Sequence, residues 1–321
     1  MILGIFGLLL TGFGCNTVHF ASSGQVGTQE QPVYLFSYFM DNGQDGLHLA
    51  YSTDGMEWKP LNGGKSYLNP AVGSKLMRDP CVLRGADGLF HMVWTTGWRD
   101  KGIGYASSKD MINWSQQKFI PVMEHEPAAK NCWAPEAVYD PKEKEYMIFW
   151  ATTIPGKFPD TEKSGEKNHR IYYVTTPDFT TFSTAKVLLD CGFSAIDATI
   201  IRVGGRYVMF IKNESKDPPE KNIRMCTADK MTGPWGAASK PITGKYWAEG
   251  PTSVRIGDWW YVYFDKYTEQ QYGVIRSKDL TSWEDVSQQL RYPRGLRHGT
   301  VFAVESAVLK NLMFVEESSR P

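Results

Sequence analysis

The chain has 321 residues, 42% of them apolar, enough to bury a sizeable core. Lys and Arg together number 35 and so do Asp and Glu, with no run of like charge, which argues against nucleic acid or a polyanion as partner. Aromatic residues reach 13%, and some of the 11 Trp and 16 Tyr are expected on a surface that meets flat apolar faces such as sugar rings.

Residues 1–14 (MILGIFGLLLTGFG) are apolar, too short to span a bilayer, and stop at Cys15. The arrangement resembles a bacterial lipoprotein signal with Cys15 as the lipid-bearing residue; an ordinary cleaved signal peptide is the alternative. Residues 16–31, polar and small, read as a flexible tether. Either reading sends the mature protein out of the cytoplasm, to the cell envelope or beyond, and limits membrane contact to the lipid anchor. The remaining cysteines, Cys81, Cys132, Cys191 and Cys226, form no C-x-x-C pair, so zinc is not expected. They read as small buried residues, with one bridge left open.

From residue 32 onward a single unit recurs. Its marker is S/T-x-D-x-x-x-W/F, found at 52–58 (STDGMEW), 108–114 (SKDMINW), 176–182 (TPDFTTF) and 277–283 (SKDLTSW), with a longer copy at 227–235 (TADKMTGPW). The spacing is roughly 50–70 residues, the length of a four-stranded propeller blade with its loops. Aromatic and β-branched runs precede each marker at 34–39, 90–95, 146–150, 207–211 and 259–264, and a second strand follows each at 47–51, 103–106, 171–174, 223–226 and 272–275. The Asp of each marker suits a turn, because its carboxylate can accept nearby backbone N–H groups; the Trp or Phe then opens an outer strand.

Short apolar segments at 79–83, 135–139, 197–201, 250–254 and 299–304 read as inner strands buried on both faces around an axis. The last has no partner downstream and the run at 34–39 has none upstream, so the two are expected to pair and close the ring. The fold expected is all-β: a five-bladed β-propeller over residues 32–310, followed by a tail at 311–321, with no helical period of useful length.

Asp79, Asp197 and Glu249 stand at the starts of three of these inner strands. Acids from separate blades meeting on one axis are costly unless they do chemistry or bind a cation. Glycosidic hydrolysis asks for such a set: one carboxylate to activate water and another to protonate the leaving oxygen.

Asp79-Pro80, Trp133-Ala134-Pro135-Glu136, Ile196-Asp197, Glu249-Gly250-Pro251 and Arg297-His298-Gly299 occur in that order, and together they resemble the family 43 glycoside hydrolases over about residues 33–310. The resemblance implies an inverting hydrolase of arabinofuranosyl, xylosyl or related linkages in plant-type polysaccharides. Asp79 would be the base, Glu249 the acid and Asp197 the group that modulates and orients it. Arg78, Trp98, Trp133, Glu136, Trp247, Arg297 and His298 are the expected sugar-binding residues, with Glu136 pairing with Arg78 as its alternative role. No cofactor is required; a structural calcium near the axis, close to His298, is an optional addition. Arg78 and Ala198 depart from the family pattern, which puts the substrate in question. The alternatives are a catalytically silent glycan-binding propeller and a retaining, fructan-type propeller hydrolase, the latter lacking an upstream nucleophile because Asp41-Asn42-Gly43 does not reproduce its motif. The polar insert at 155–167 is expected at the funnel mouth, where it would cap the funnel and favour exo-action.

Overall fold

The computed structural model describes residues 32–318; Cys15 and the tether lie outside the described residues. Five antiparallel sheets surround an axis. Blade 1 runs, from the axis outward, Gly299–Val304, Val33–Tyr38, His48–Ser52 and Lys59–Pro60. Blade 2 is Arg78–Arg84, Phe90–Thr95, Ile103–Ser108 and Lys118–Ile120, and blade 3 is Trp133–Asp140, Glu145–Thr153, His169–Thr176 and Lys186–Leu189. Blade 4 has three strands, Ala195–Val203, Arg206–Asn213 and Asn222–Ala228; blade 5 has Glu249–Ile256, Trp259–Lys266, Gln271–Ser277 and Glu284–Asp285. Each inner strand lies against the inner strand of the next blade, and blade 5 returns to blade 1.

Ring closure is as expected. Gly299–Val304 pairs with Val33–Tyr38 in a register running from Val33 opposite Val304 to Tyr38 opposite Gly299. Gly299 is required there, since a Cβ would collide with the Ser37 carbonyl.

The aromatic strands lack polar alternation because both their faces meet a neighbouring blade. Val33 and Leu35 point into the seam with blade 2, whereas Tyr34, Phe36 and Tyr38 point into the seam with blade 5. Five apolar clusters result, one per seam. In the blade 5–blade 1 seam the Phe36 ring lies 5.3 Å from Trp58 and 5.6 Å from Tyr272. Each such buried ring contributes about 1.5–3 kcal/mol.

The repeat marker is the turn that leads to the outer strand. In blade 2, Asp110 Oδ1 accepts the N–H groups of Ile112 (2.9 Å) and Asn113 (2.7 Å), Ser108 Oγ accepts that of Met111 (2.8 Å), and Trp114 Nε1 donates to the Met111 carbonyl at 3.1 Å. The residue after the Asp is left-handed in four blades: Gly55, Met111, Phe179 and Leu280. The longer copy in blade 4 behaves differently. Asp229 pairs with Arg206 at 2.8 Å, and the chain beyond it meets Asn222–Ala228 through spaced backbone bonds from Gly236, Ser239 and Ile242 without forming an outer strand.

One further difference from expectation stands out. Ser306–Ser318 is an α-helix, so the residues expected as a tail from 311 are its second half. Leu309 and Leu312, one turn apart, sink into the seam between blades 1 and 2. All four described cysteines are free; Cys81, Cys132 and Cys226 are buried and Cys191 half-buried.

Candidate active site

Four inner strands begin with the same bulge. Pairing with the second strand skips between Arg78 and Cys81, Trp133 and Glu136, Ile196 and Thr199, and Glu249 and Thr252. The residue after each first position is left-handed: Asp79 (φ 52°), Ala134 (46°), Asp197 (54°) and Gly250 (59°). Arg-Asp-Pro-Cys, Trp-Ala-Pro-Glu, Ile-Asp-Ala-Thr and Glu-Gly-Pro-Thr are thus four copies of one turn. The sequence alone put the acids at one shared place, the strand start; the fold puts Glu249 at the first position of the turn, Asp79 and Asp197 at the second and Glu136 at the fourth. A left-handed non-glycine residue costs about 1–3 kcal/mol and persists only where its surroundings hold it, so the repeated strain marks the top of the funnel. Gly250 has a second reason to be glycine: a Cβ would run into the His298 ring.

Asp79 is held from two sides. Thr95 Oγ1 donates to its Oδ2 at 2.8 Å, and His298 Nδ1 lies 3.2 Å from its Oδ1. Burial raises the Asp79 carboxyl, but the hydrogen bond and charge of His298, the Arg78 charge and the Thr95 hydroxyl outweigh it and hold the group at about 2. His298 shows the converse: burial lowers it, yet Asp79, Asp197 and Glu136 raise it to about 9. The imidazole is therefore the cation of the axis at neutral pH.

Asp197 Oδ2 accepts the Gly250 N–H at 3.0 Å. Burial, with the Glu249 and Asp79 charges, pushes its carboxyl up to about 6 against the pull of His298 and Lys212. Glu249 lies between two cations, with Lys212 Nζ 2.8 Å from Oε2 and Arg297 Nη2 3.5 Å from Oε1. Lys212 is itself shared, lying 2.8 Å from Glu214 Oε2. Burial works against its charge, but Glu249, Glu214 and Asp197 more than compensate and keep it protonated. Asp79, Asp197, Glu249, Lys212, Glu214 and His298 line one cavity of about 250 Å³.

The expected sugar-binding residues do not all fall together, and His298 lines the cavity already described. Arg78, Trp98 and Trp133 line that cavity. Arg78 donates to Asn42 Oδ1 at 2.9 Å and stacks on Phe39 and Trp98; Trp98, 49% exposed, shares the Asn42 acceptor at 3.2 Å. Trp133 is edge-on to Trp98 and carries Lys167 Nζ 3.8 Å above its ring, so one face is already covered. Arg297 bonds Asp265 at 2.7 Å and reaches Glu249. Trp247, 40% exposed, stands beside Tyr267 on a neighbouring groove that shares Trp133 with the cavity.

Glu136 behaves unlike either role expected for it. It is buried, does not line the cavity, and makes no pair with Arg78, whose partner is Asn42. Burial pushes its carboxyl up to about 8, with Asp197 adding to the rise against the Thr199 hydrogen bond and the His298 charge. Its Oε1 has no hydrogen-bond partner.

Among the described residues no group of three or more His, Cys, Asp or Glu is arranged to hold a metal ion. At the rim, Asp41 is exposed in a turn, and the Asn42 amide oxygen accepts from Arg78.

Lys212, Glu214, Thr95 and Asp265 were not singled out in the sequence. Three of them share a signal that could have found them: a polar residue at the end of an aromatic strand, opposite the bulge. Thr95 faces Arg78, Lys212 faces Ile196 and Asp265 faces Glu249 in register.

A five-bladed propeller with carboxylates gathered at the top of its axis is the architecture of the propeller glycoside hydrolases. The chain belongs to the family-43-related glycosyl hydrolases: the family model described as a probable glycosyl hydrolase domain matches residues 30–309. An α-L-arabinofuranosidase of Bifidobacterium longum subsp. longum is 27% identical over 200 aligned positions, covering 54% of this chain and 18% of that protein, so the chain spans under a fifth of that relative. Among solved structures, an α-L-arabinofuranosidase from Lactobacillus brevis superposes with a TM-score of 0.51 at 17% identity, covering 66% of this chain and 72% of that one. An exo-β-1,3-galactanase from Clostridium thermocellum gives 0.52 at 12% identity, covering 67% and 50%. These two structural likenesses speak to the fold alone.

Proposed function

We propose that the chain is an inverting glycoside hydrolase acting on arabinofuranosyl, xylosyl or related linkages of plant-type polysaccharides. The reading rests on one observation, the convergence of Asp79, Asp197 and Glu249 from three blades in a single cavity. Asp79, ionised across the neutral range, takes a proton from water as that water attacks the anomeric carbon. Glu249 donates a proton to the leaving oxygen. Its ion pair with Lys212 has to open first, and Glu214 offers the ammonium a second acceptor at the same 2.8 Å distance. The arabinofuranosidase relative supports an arabinofuranosyl substrate. The lipoprotein-like N-terminus supports an exported enzyme anchored through Cys15, and loss of fatty-acid labelling in Cys15→Ser would bear that out.

Release of 4-nitrophenol from arabinofuranoside, xyloside and galactoside substrates tests the reading. Glu249→Ala should lower kcat by roughly 10²–10⁴-fold on the active sugar, with much of the loss recovered when the leaving group is a better one. Equal turnover by wild type and variant would remove Glu249 from the chemistry.

A second reading is favoured by the same ion pair. A Glu249 held by Lys212 and Arg297 suits a propeller that binds glycan without cleaving it. Saturable binding of arabino- or xylo-oligosaccharides with no turnover of any of them would select that reading.

A further inference from the structure

Beside the acid cavity lies a second one of about 420 Å³, reached past Trp133 and Glu214, which line both. Its walls come from the insert before blade 3's third strand and from the loops above blades 4 and 5. Trp247 and Tyr267 form an aromatic corner with ring centroids 6.0 Å apart, and Trp247 is 40% exposed. Three lysines, Lys167, Lys216 and Lys221, face two acids, Glu166 and Glu214. Lys221 is spent on Glu214 at 2.7 Å. Lys167 is packed over Trp133, where burial lowers its proton affinity, so an arriving anion would relieve an unfavourable charge.

His169 adds a directional feature. It is 1% exposed, lines this cavity, and its Nε2 has no hydrogen-bond partner. Ser194 Oγ donates to the Lys167 carbonyl at 3.1 Å and accepts the His169 backbone N–H at 3.1 Å. The Ser194 proton is thus committed, and the 3.4 Å contact with Nδ1 is an Nδ1–H donating to Ser194. Nε2 is then a bare acceptor, and burial with the surrounding lysines keeps the ring neutral, at about 3. A buried lone pair with no donor costs free energy that a ligand hydroxyl would recover.

We propose that this cavity is a subsite for a monoanionic sugar residue, a uronate or a sulfate ester, next to the sugar held in the acid cavity. The ring lies against Trp247, the anionic group meets Lys167 and Lys216, and a ring hydroxyl donates to His169 Nε2. The proposal rests on the hydrolase reading for what occupies the adjoining cavity. The even net charge of the chain is compatible with it, because the site carries a local excess of one positive charge and matches one anionic group, not a polyanion.

Binding, measured by calorimetry or saturation-transfer NMR without turnover, tests it. The probes are methyl α-D-glucuronoside, its neutral glucoside counterpart and a glucose 6-sulfate glycoside. Wild type should bind at least one charged probe about ten-fold more tightly than the neutral one, as expected of charge-assisted contacts, and the gap should narrow with added salt. Which charged probe wins identifies the anion. Lys167→Gln combined with Lys216→Gln should shrink the gap to about two-fold, and Trp247→Ala should weaken all three probes, with circular dichroism confirming the fold in each variant. Equal affinity for charged and neutral probes, or a gap that survives in the double lysine variant, overturns the subsite. Hydrolysis of an aryl glycoside without charge preference would sink the subsite and leave the hydrolase standing; preference without any hydrolysis would do the reverse.

Discussion

Asp79 and His298 hold each other ionised, and the direction of that coupling makes the site's pH behaviour predictable. Asp79 sits at about 2, below the ordinary carboxylate value, so its contribution to stability is present above that ordinary value and lost as pH falls through about 2. Asp197 at about 6, Glu136 at about 8 and His298 at about 9 all lie above their ordinary values. Their contributions are complete at acid pH and are lost in turn as pH rises through those values. The protein should therefore become steadily easier to unfold with denaturant between pH 6 and pH 9. Glu136→Gln mimics the protonated carboxyl and should remove the part of that fall that ends near pH 8, so the variant's stability relative to wild type should rise between pH 6 and pH 8; an identical decline in both proteins would contradict it. For His298, NMR titration of the imidazole should give a midpoint near 9 that drops in Asp79→Asn. The three acids were legible in the sequence because carboxylates at the mouths of apolar strands are conspicuous. Lys212 was not, because a single lysine ending the run YVMFIKN looks like a strand meeting solvent, and only the neighbouring blade supplies Glu249 to face it.

The bulge at the head of the inner strands is the element that turns a structural repeat into a site. It aims the second side chain at the axis, and the occupants of that position are Asp79, Ala134, Asp197 and Gly250. Gly250→Ala should be strongly destabilising, about 2–4 kcal/mol, since it combines left-handed strain with a collision against His298; thermal unfolding measures it, and a loss under 1 kcal/mol would argue against the strained turn. The blade strands themselves could be read from aromatic runs because each run serves two seams at once. Their bounds were harder to read, since the strands extend through polar residues at the funnel end, as Glu145–Thr153 and Arg206–Asn213 do. The missing outer strand of blade 4 had a trace in the two extra residues of its marker. The C-terminal helix left a fainter one, with only Leu309 and Leu312 buried in its first turns. Leu312→Ala should cost about 2–4 kcal/mol in thermal unfolding, and a loss under 1 kcal/mol would contradict that anchoring.

At the scale of the molecule, the ring is fastened by one pairing between distant parts of the chain. Removing Gly299–Val304 would strip Val33–Tyr38 of its inner partner and open the blade 1 seams on both sides. A truncation before Gly299 should abolish the cooperative unfolding transition, whereas one after Glu305 should keep it at a lower Tm; a truncation before Gly299 that still unfolds cooperatively would mean the ring does not depend on that closure. Closure was legible because two strands at opposite ends of the chain each lacked a partner. The groove beside the funnel was not, because its residues come from three loops with no shared motif, and only folding brings Lys167, Lys216 and Trp247 to one wall.

The measurement that bears most directly on the account is the configuration of the sugar first released, followed by proton NMR before mutarotation. A water activated by Asp79 across the cavity from Glu249 predicts the inverted anomer, and α-L-arabinofuranosides would yield the β-sugar first. Release with retained configuration would demand a covalent intermediate and would contradict the roles given to Asp79 and Glu249.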